Sequence, residues 1–206
     1  FSGANLTELV LPEKLETIGQ EALVNNPDLK QLIIPESVTS VYKSAFSKGV
    51  QNLSVVFDAI SHPTFFDDKT YVFTGIGAKE FIVPYEGLLG YRSAALNFAP
   101  NIRTEDGSEP ELEGNHLIYL KGVSSESLFE IHDEFGKETS TADLYDFGAD
   151  KLYCTYHGDK YVLVFGGDVT RLPAYFGDSS SCIFSFEEAI VPSTVNCVDQ
   201  DSLAPY

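Results

Sequence analysis

Leu6, Leu9, Leu11, Leu15, Ile18 and Ala22, with a proline at position 12, return twenty-three residues later as Leu29, Leu32, Ile34, Val38, Val41 and Ala45, with Pro35 in register and Leu23 answered by Phe46. A stretch this short has too few residues to enclose its own apolar side. The period therefore predicts coils that stack on copies of themselves, a solenoid with one shared interior. In the second copy the run from Leu29 to Ile34 ends in β-branched residues and is predicted as a short strand, with Leu32 and Ile34 inward and Gln31 outward. Pro35 stops it, because proline has no amide proton to give to a continuing ladder and favours a turn. Beyond it, Val38, Val41, Ala45 and Phe46 fall at spacings of three and four, which predicts a tight helical or 3-10 segment with one buried stripe.

A third copy is read near the end of the chain, in Phe186, Ala189, Ile190, Val191, Pro192, Val195, Val198, Ser202 and Leu203, preceded by a half unit of Val169, Leu172, Tyr175 and Phe176. At the other end Phe1-Ser2-Gly3 matches Phe46-Ser47-Lys48, so the repeats are expected to be part of a longer array. An apolar strand, a proline, then Val-x-x-Val and a small or aromatic pair, as in "LIIPESVTSVYKSAF" and "AIVPSTVNCVDQDSL", resembles the BspA-type leucine-rich repeats of bacterial surface proteins. The stretch "FIVPYEGLLGYRSAALNFAPNI" is similar to the closing segment of such arrays, with a tyrosine-centred helix and then an aromatic, Phe98, where the family usually has tryptophan. The resemblance covers roughly residues 1–103 and 169–206. It implies an α/β, β-rich leucine-rich-repeat solenoid of stacked short strands with tight helical or 3-10 segments. It also implies a secreted or cell-surface protein of the adhesion type, which binds host matrix proteins or other cell surfaces without a cofactor.

Four segments follow along the chain: an array with its closing segment at 1–103, an acidic linker at 104–115, a β-rich cap or insertion at 116–168 that interrupts the solenoid, and a second, truncated array at 169–206. The linker reading rests on "TEDGSEPELEGN", which carries glycine and acids and almost nothing apolar. In the cap, "NHLIYLKG" reads as a strand. "KLYCTYHGDKYVLVFGG" reads as a hairpin turning at His157-Gly158-Asp159-Lys160. The third coil of the first array carries an insertion whose aromatics, Phe65, Phe66, Tyr71 and Phe73, are expected to cover the apolar end of the stack.

With 31 acidic against 13 basic residues, the formal net charge of −18 repels phosphate backbones and argues against nucleic acid as a partner. It suits solubility, or steering toward a basic partner. No apolar run approaches the roughly 20 residues that cross a bilayer, so membrane insertion is not expected. The four histidines, His62, His116, His132 and His157, form no metalloprotease or nucleophile motif, and His132-Asp133-Glu134 reads as a solvated loop rather than a metal site. Cys154, Cys182 and Cys197 lack the close spacing of a zinc site, and the last two, at solenoid positions, are expected to be small buried thiols. Asn5, Asp28 and Asn52 precede equivalent leucines and are expected to bond the backbone at the turn into each strand. That reading also accounts for the two formal glycosylation signals at Asn5 and Asn52.

The function expected from these features is non-enzymatic: a module, taken to be a monomer, whose exposed strand residues Thr7, Glu8, Lys30, Gln31 and Glu80 hold a protein or glycan ligand. The alternatives are a structural spacer that presents another domain, and an enzyme with its site in 112–168.

Overall fold

The computed structural model describes residues 1–42, 44–46, 49–50, 52–66, 78–124, 131, 146–173 and 186–199. The chain divides into two compact units, 1–110 and 111–206. In the first, the strands in chain order are β1 (Thr17–Ile18), β2 (Gln31–Ile34), β3 (Ser40–Tyr42), β4 (Ser54–Phe57), β5 (Thr64–Phe66), β6 (Glu80–Ile82) and β7 (Ile102–Arg103). They form two ladders with every pairing parallel, one in the order β2-β4-β6-β7 and one in the order β1-β3-β5. Gln31 pairs with Ser54 and Thr17 with Ser40, so each turn of the chain advances by one rung and the repeat is a stacked solenoid. Leu29, Leu32, Ile34, Val55, Phe57 and Phe81 from successive rungs meet in one dry interior, and Gln31 is exposed between them. Parallel strands need such a crossover at each step, and burial of the shared face is what stabilises them.

After Pro12 and Pro35 a single turn followed by a strand replaces the longer helical or 3-10 segment expected there. The Val38 amide donates to the Pro35 carbonyl at 3.0 Å to close a turn, and the chain then extends into β3. The three-residue spacing from Val38 to Val41 thus spans a turn and one strand residue, a spacing that a helix also satisfies. The ladder wins because the previous coil offers the Glu16 carbonyl to the amides of Thr39 and Ser40, and because valine fits a pleated surface.

In the third coil β4 and β6 are offset by 26 residues, Ser54 to Glu80, where β2 and β4 are offset by 23. Much of the expected insertion is therefore an ordinary rung: Phe65 takes the register of Val41 and packs on the core, and Phe66 faces outward beside Tyr42. Tyr71 and Phe73 lie outside the described residues.

Asn5, Asp28 and Asn52 are exposed, and the bonding expected of them falls to Asn26, which is fully buried. Its Oδ1 accepts from the Leu6 amide at 3.0 Å, and its Nδ2 donates to the carbonyls of Phe1 and Leu23, both at 2.9 Å. One amide side chain thereby satisfies backbone groups on two coils.

A short helix, α1 (Leu88–Ala94), flanked by 3-10 turns at Tyr85–Gly87 and Leu96–Asn101, closes the stack. Tyr91 is buried in it and donates its hydroxyl to the Ala59 carbonyl at 3.0 Å, and Phe98 packs on Phe81 with ring centroids 4.7 Å apart. Gly87 sits where a Cβ would come within 2.3 Å of the Ile60 carbonyl oxygen, so only glycine lets the turn approach this closely. Arg92, 3% exposed, donates from Nε and Nη2 to the Ile102 carbonyl and grips both carboxylate oxygens of Glu109 at 2.6 and 2.7 Å. The start of the segment read as a linker therefore carries specific contacts, including a turn in which Asp106 accepts from the Ser108 amide and hydroxyl.

The second unit contains β8 (Leu117–Lys121), β9 (Lys151–His157), β10 (Lys160–Phe165), β11 (Arg171–Leu172), β12 (Glu188–Ile190) and β13 (Cys197–Val198). The hairpin forms as its sequence predicts: His157 pairs with Lys160 across Gly158-Asp159, and Gly158 takes the positive φ of 62° such turns require. The sheet order is β12-β8-β10-β9, antiparallel throughout, and β10 is buried on both faces. β11 and β13 pair in parallel. Cys197 and Val198, expected to be buried at solenoid positions, are both exposed, since β13 pairs with β11 along one side and both of its residues face solvent. Cys154 is buried, and Cys182 lies outside the described residues.

Candidate binding face

The ladder β2-β4-β6-β7 turns one side to the core and the other outward, and register sets what the outer side presents. Gln31, Ser54 and Glu80 fall in one row. Two residues along, Ile33, Val56, Ile82 and Arg103 fall in another. The 23-residue period carries both rows onto the first coil, where Glu8 matches Gln31 and Val10 matches Ile33. Glu8 is exposed, as are Thr7 and Lys30, which stand one residue before Glu8 and Gln31, and Val10 is 92% exposed.

Of the five residues singled out from sequence, Gln31 and Glu80 fall in the polar row by register and Glu8 matches that row by the repeat, whereas Thr7 and Lys30 are exposed one position before it. Thr7, Glu8 and Gln31 project into solvent. Lys30 is exposed and its Nζ donates to the Pro27 carbonyl at 3.2 Å. Glu80 is held: Ser54 donates to its Oε1 at 2.8 Å, Arg103 Nε to its Oε2 at 2.8 Å, and Lys79 stands 3.5 Å away. The Arg103 hydrogen bond leads the causes that bring its carboxyl from an ordinary 4.5 down to about 2, against the opposing effect of burial. This strap ties three neighbouring strands across the polar row.

The aliphatic row is written in the sequence: Val10, Ile33, Val56 and Ile82 put a β-branched residue at one repeat position on the outward side, where alternation calls for a polar one. Water-facing aliphatics in register offer apolar area to a partner, and the polar row beside them offers donors and acceptors.

Groups suited to chemistry do not converge on this face. Among the described residues no group of three or more His, Cys, Asp or Glu could hold a metal ion. His62 stacks on Phe65 with its Nδ1 2.9 Å from the Pro63 carbonyl oxygen, and His116 and His157 lie in the other unit. The His132-Asp133-Glu134 run lies outside the described residues. Burial pushes the Cys154 thiol well above the usual range, so it is held protonated. No helix among the described residues is long and apolar enough to cross a membrane.

No curated protein matches the chain. A family model, that of the BspA type leucine rich repeat region, matches residues 1–83. Leucine-rich repeats of this kind are generally interaction modules rather than enzymes. With the parallel rungs, the shared leucine interior and this match in agreement, residues 1–83 are a BspA type leucine rich repeat region.

Proposed function

We propose that the chain is a non-enzymatic interaction module of a secreted or cell-surface protein, monomeric and of the adhesion type, which holds a protein partner against the outer side of β2, β4, β6 and β7. The observation that supports this is the in-register pairing of the aliphatic row Ile33, Val56 and Ile82 with the polar row Gln31, Ser54 and Glu80. A protein partner can cover the first while bonding to the second, and a parallel solenoid keeps the spacing of both rows rigid. The surface or secreted setting and the adhesive role follow the habit of the repeat family.

The test is capture from a panel of matrix proteins, mucins and cell-surface glycans by the intact chain and by Ile33→Asp. That substitution changes an outward side chain and should leave the circular dichroism spectrum unchanged. The reading expects at least one protein to be retained by the parent chain and lost by the variant. Retention of a protein by both chains places the contact elsewhere. Retention of glycans alone changes the ligand class, and an empty panel leaves the structural spacer as the better reading.

A further inference from the structure

The second ladder of the first unit carries a feature that the proposed face does not use. On its outer side Tyr42 and Phe66, each 43% exposed, stack with ring centroids 4.8 Å apart and planes 22° from parallel. That separation matches the spacing of neighbouring strands, so the rings lie along the ladder with one face of each against the other. Thr17 pairs with Ser40 and Ile18 with Val41, and one step further puts Gly19 beside Tyr42. Gly19 has no side chain, and a Cβ built on it would meet nothing within 4 Å. The face of Tyr42 turned away from Phe66 therefore looks over Gly19, where the row lacks a third side chain. Two residues back on the same outer side, Thr17, Ser40 and Thr64 form a row of hydroxyls.

The charge around this gap is one-sided. The part of the first coil on the Gly19 side carries Glu13, Glu16 and Glu21, all exposed, against Lys14. Lys43, next to Tyr42 in the chain, lies outside the described residues. A tyrosine face attracts a cation through its ring quadrupole, and carboxylates nearby add to that attraction. A guanidinium is flat, weakly hydrated, stacks on aromatic faces and carries donors around its rim, whereas an ammonium is a compact, strongly hydrated point charge.

We propose that the gap between Gly19 and Tyr42 is a receptor slot for an arginine side chain of a basic partner segment, its guanidinium lying flat on Tyr42 with donors directed at the hydroxyls of Thr17 and Ser40 and at the carboxylates of the first coil. This site is separate from the face of β2, β4, β6 and β7, and either can fail without the other.

The test titrates the intact chain with oligo-arginine and oligo-lysine peptides of equal length and charge, read by fluorescence anisotropy for affinity and by the Gly19 amide resonance for location. Tyr42→Leu removes the ring. Gly19→Val fills the gap, and the open space at its Cβ means this should not disturb the fold. Tyr42→Phe keeps the ring and serves as the control. The expected result is that oligo-arginine binds more tightly than oligo-lysine and shifts the Gly19 amide. Affinity should fall roughly two- to fivefold in Tyr42→Leu and in Gly19→Val, the scale of an exposed cation–π contact, and persist in Tyr42→Phe. Equal binding of the two peptides, or affinity untouched by Gly19→Val, overturns the slot and leaves only diffuse attraction to an acidic protein. Binding of neutral oligosaccharides at Gly19 without arginine binding overturns it in favour of a sugar.

Discussion

The repeat at 15–41 and its counterpart at 169–198 make matching hydrogen bonds and yet belong to differently built sheets. Ser37 donates its hydroxyl to the Leu15 carbonyl at 2.8 Å, and Thr194, at the same place after its proline, donates to the Val169 carbonyl at 2.7 Å. The amides of Thr39 and Ser40 converge on the Glu16 carbonyl as those of Asn196 and Cys197 converge on that of Thr170. β11 and β13 thus reproduce the pairing of β1 and β3. The other ladder differs: β2 pairs in parallel with β4, whereas β12 pairs antiparallel with β8, Glu188 opposite Lys121. The lesson is that the two ladders of a coil are separable. The turn after the proline carries its own bonding instructions, while the strand before it accepts whichever neighbour covers its edge.

The largest expected effect sharpens this contrast at the two arginine clasps. In the first unit Arg92 is buried and joins α1 to the Ile102 carbonyl and to Glu109. In the second, Arg171 is bidentate to Asp199 across the β11–β13 ladder, with side chains 40% and 25% exposed. Arg92→Ala leaves a partly covered carboxylate and a carbonyl without their donor and should cost about 3–5 kcal/mol in urea denaturation. Arg92→Lys should recover little of it, because an ammonium cannot span both oxygens of Glu109 and the carbonyl together. Arg171→Ala should move the midpoint far less, since water already screens that pair. If the two alanine variants unfold at the same urea concentration, the closing of the first array does not depend on its buried clasp.

A smaller effect separates the ladders by acid. The Glu80 carboxyl has its pKa lowered from 4.5 to about 2 in the folded chain, with the Arg103 hydrogen bond first among the causes. A depressed folded-state value means the contribution is present in full above the ordinary carboxylate range and disappears as pH falls from about 4.5 toward 2. Thermal melts of the parent chain should decline over that window, and those of Glu80→Gln should start lower and decline less steeply. A Glu80→Gln curve parallel to that of the parent would show that the strap across β4, β6 and β7 does not hold the carboxylate ionised.

Much of the first unit could be read from residue spacing, because a solenoid writes its core as a period: Leu32, Ile34, Val38 and Val41 are buried as their repetition requires. Local conformation after Pro35 could not, since a three-residue spacing suits both a helical turn and a turn followed by a strand, and only the neighbouring coil's carbonyls decide. Asn26 escaped notice for a related reason: its partners lie on two coils, and nothing adjacent in the chain marks it. Of the face, Gln31 was legible from strand alternation, whereas the restraint on Glu80 depends on Arg103, 23 residues away and brought beside it only by register. The direction of β12 was illegible for the same reason. "EAIVP" reads like any other strand of the repeat, and the partner that reverses its pairing, β8, precedes it by some seventy residues.

The smallest effect tests that separability directly. Val41 and Val198 occupy one repeat position, in β3 and β13, and share the same turn bonding, but Val41 is 4% exposed and Val198 57%. In the first array Val41 has β1 on one side and β5 on the other, with Phe65 in the next rung packed on the same core. Val41→Ala should therefore cost about 1–3 kcal/mol through lost burial and the void it leaves. Val198→Ala should stay within about 0.5 kcal/mol, because solvent already reaches the side chain. Urea denaturation of the two single variants and of the double variant measures both, and the costs should add, since the residues belong to different compact units. Equal costs at the two positions would mean that the equivalence in sequence extends to burial, and that β13 is covered in solution as β3 is.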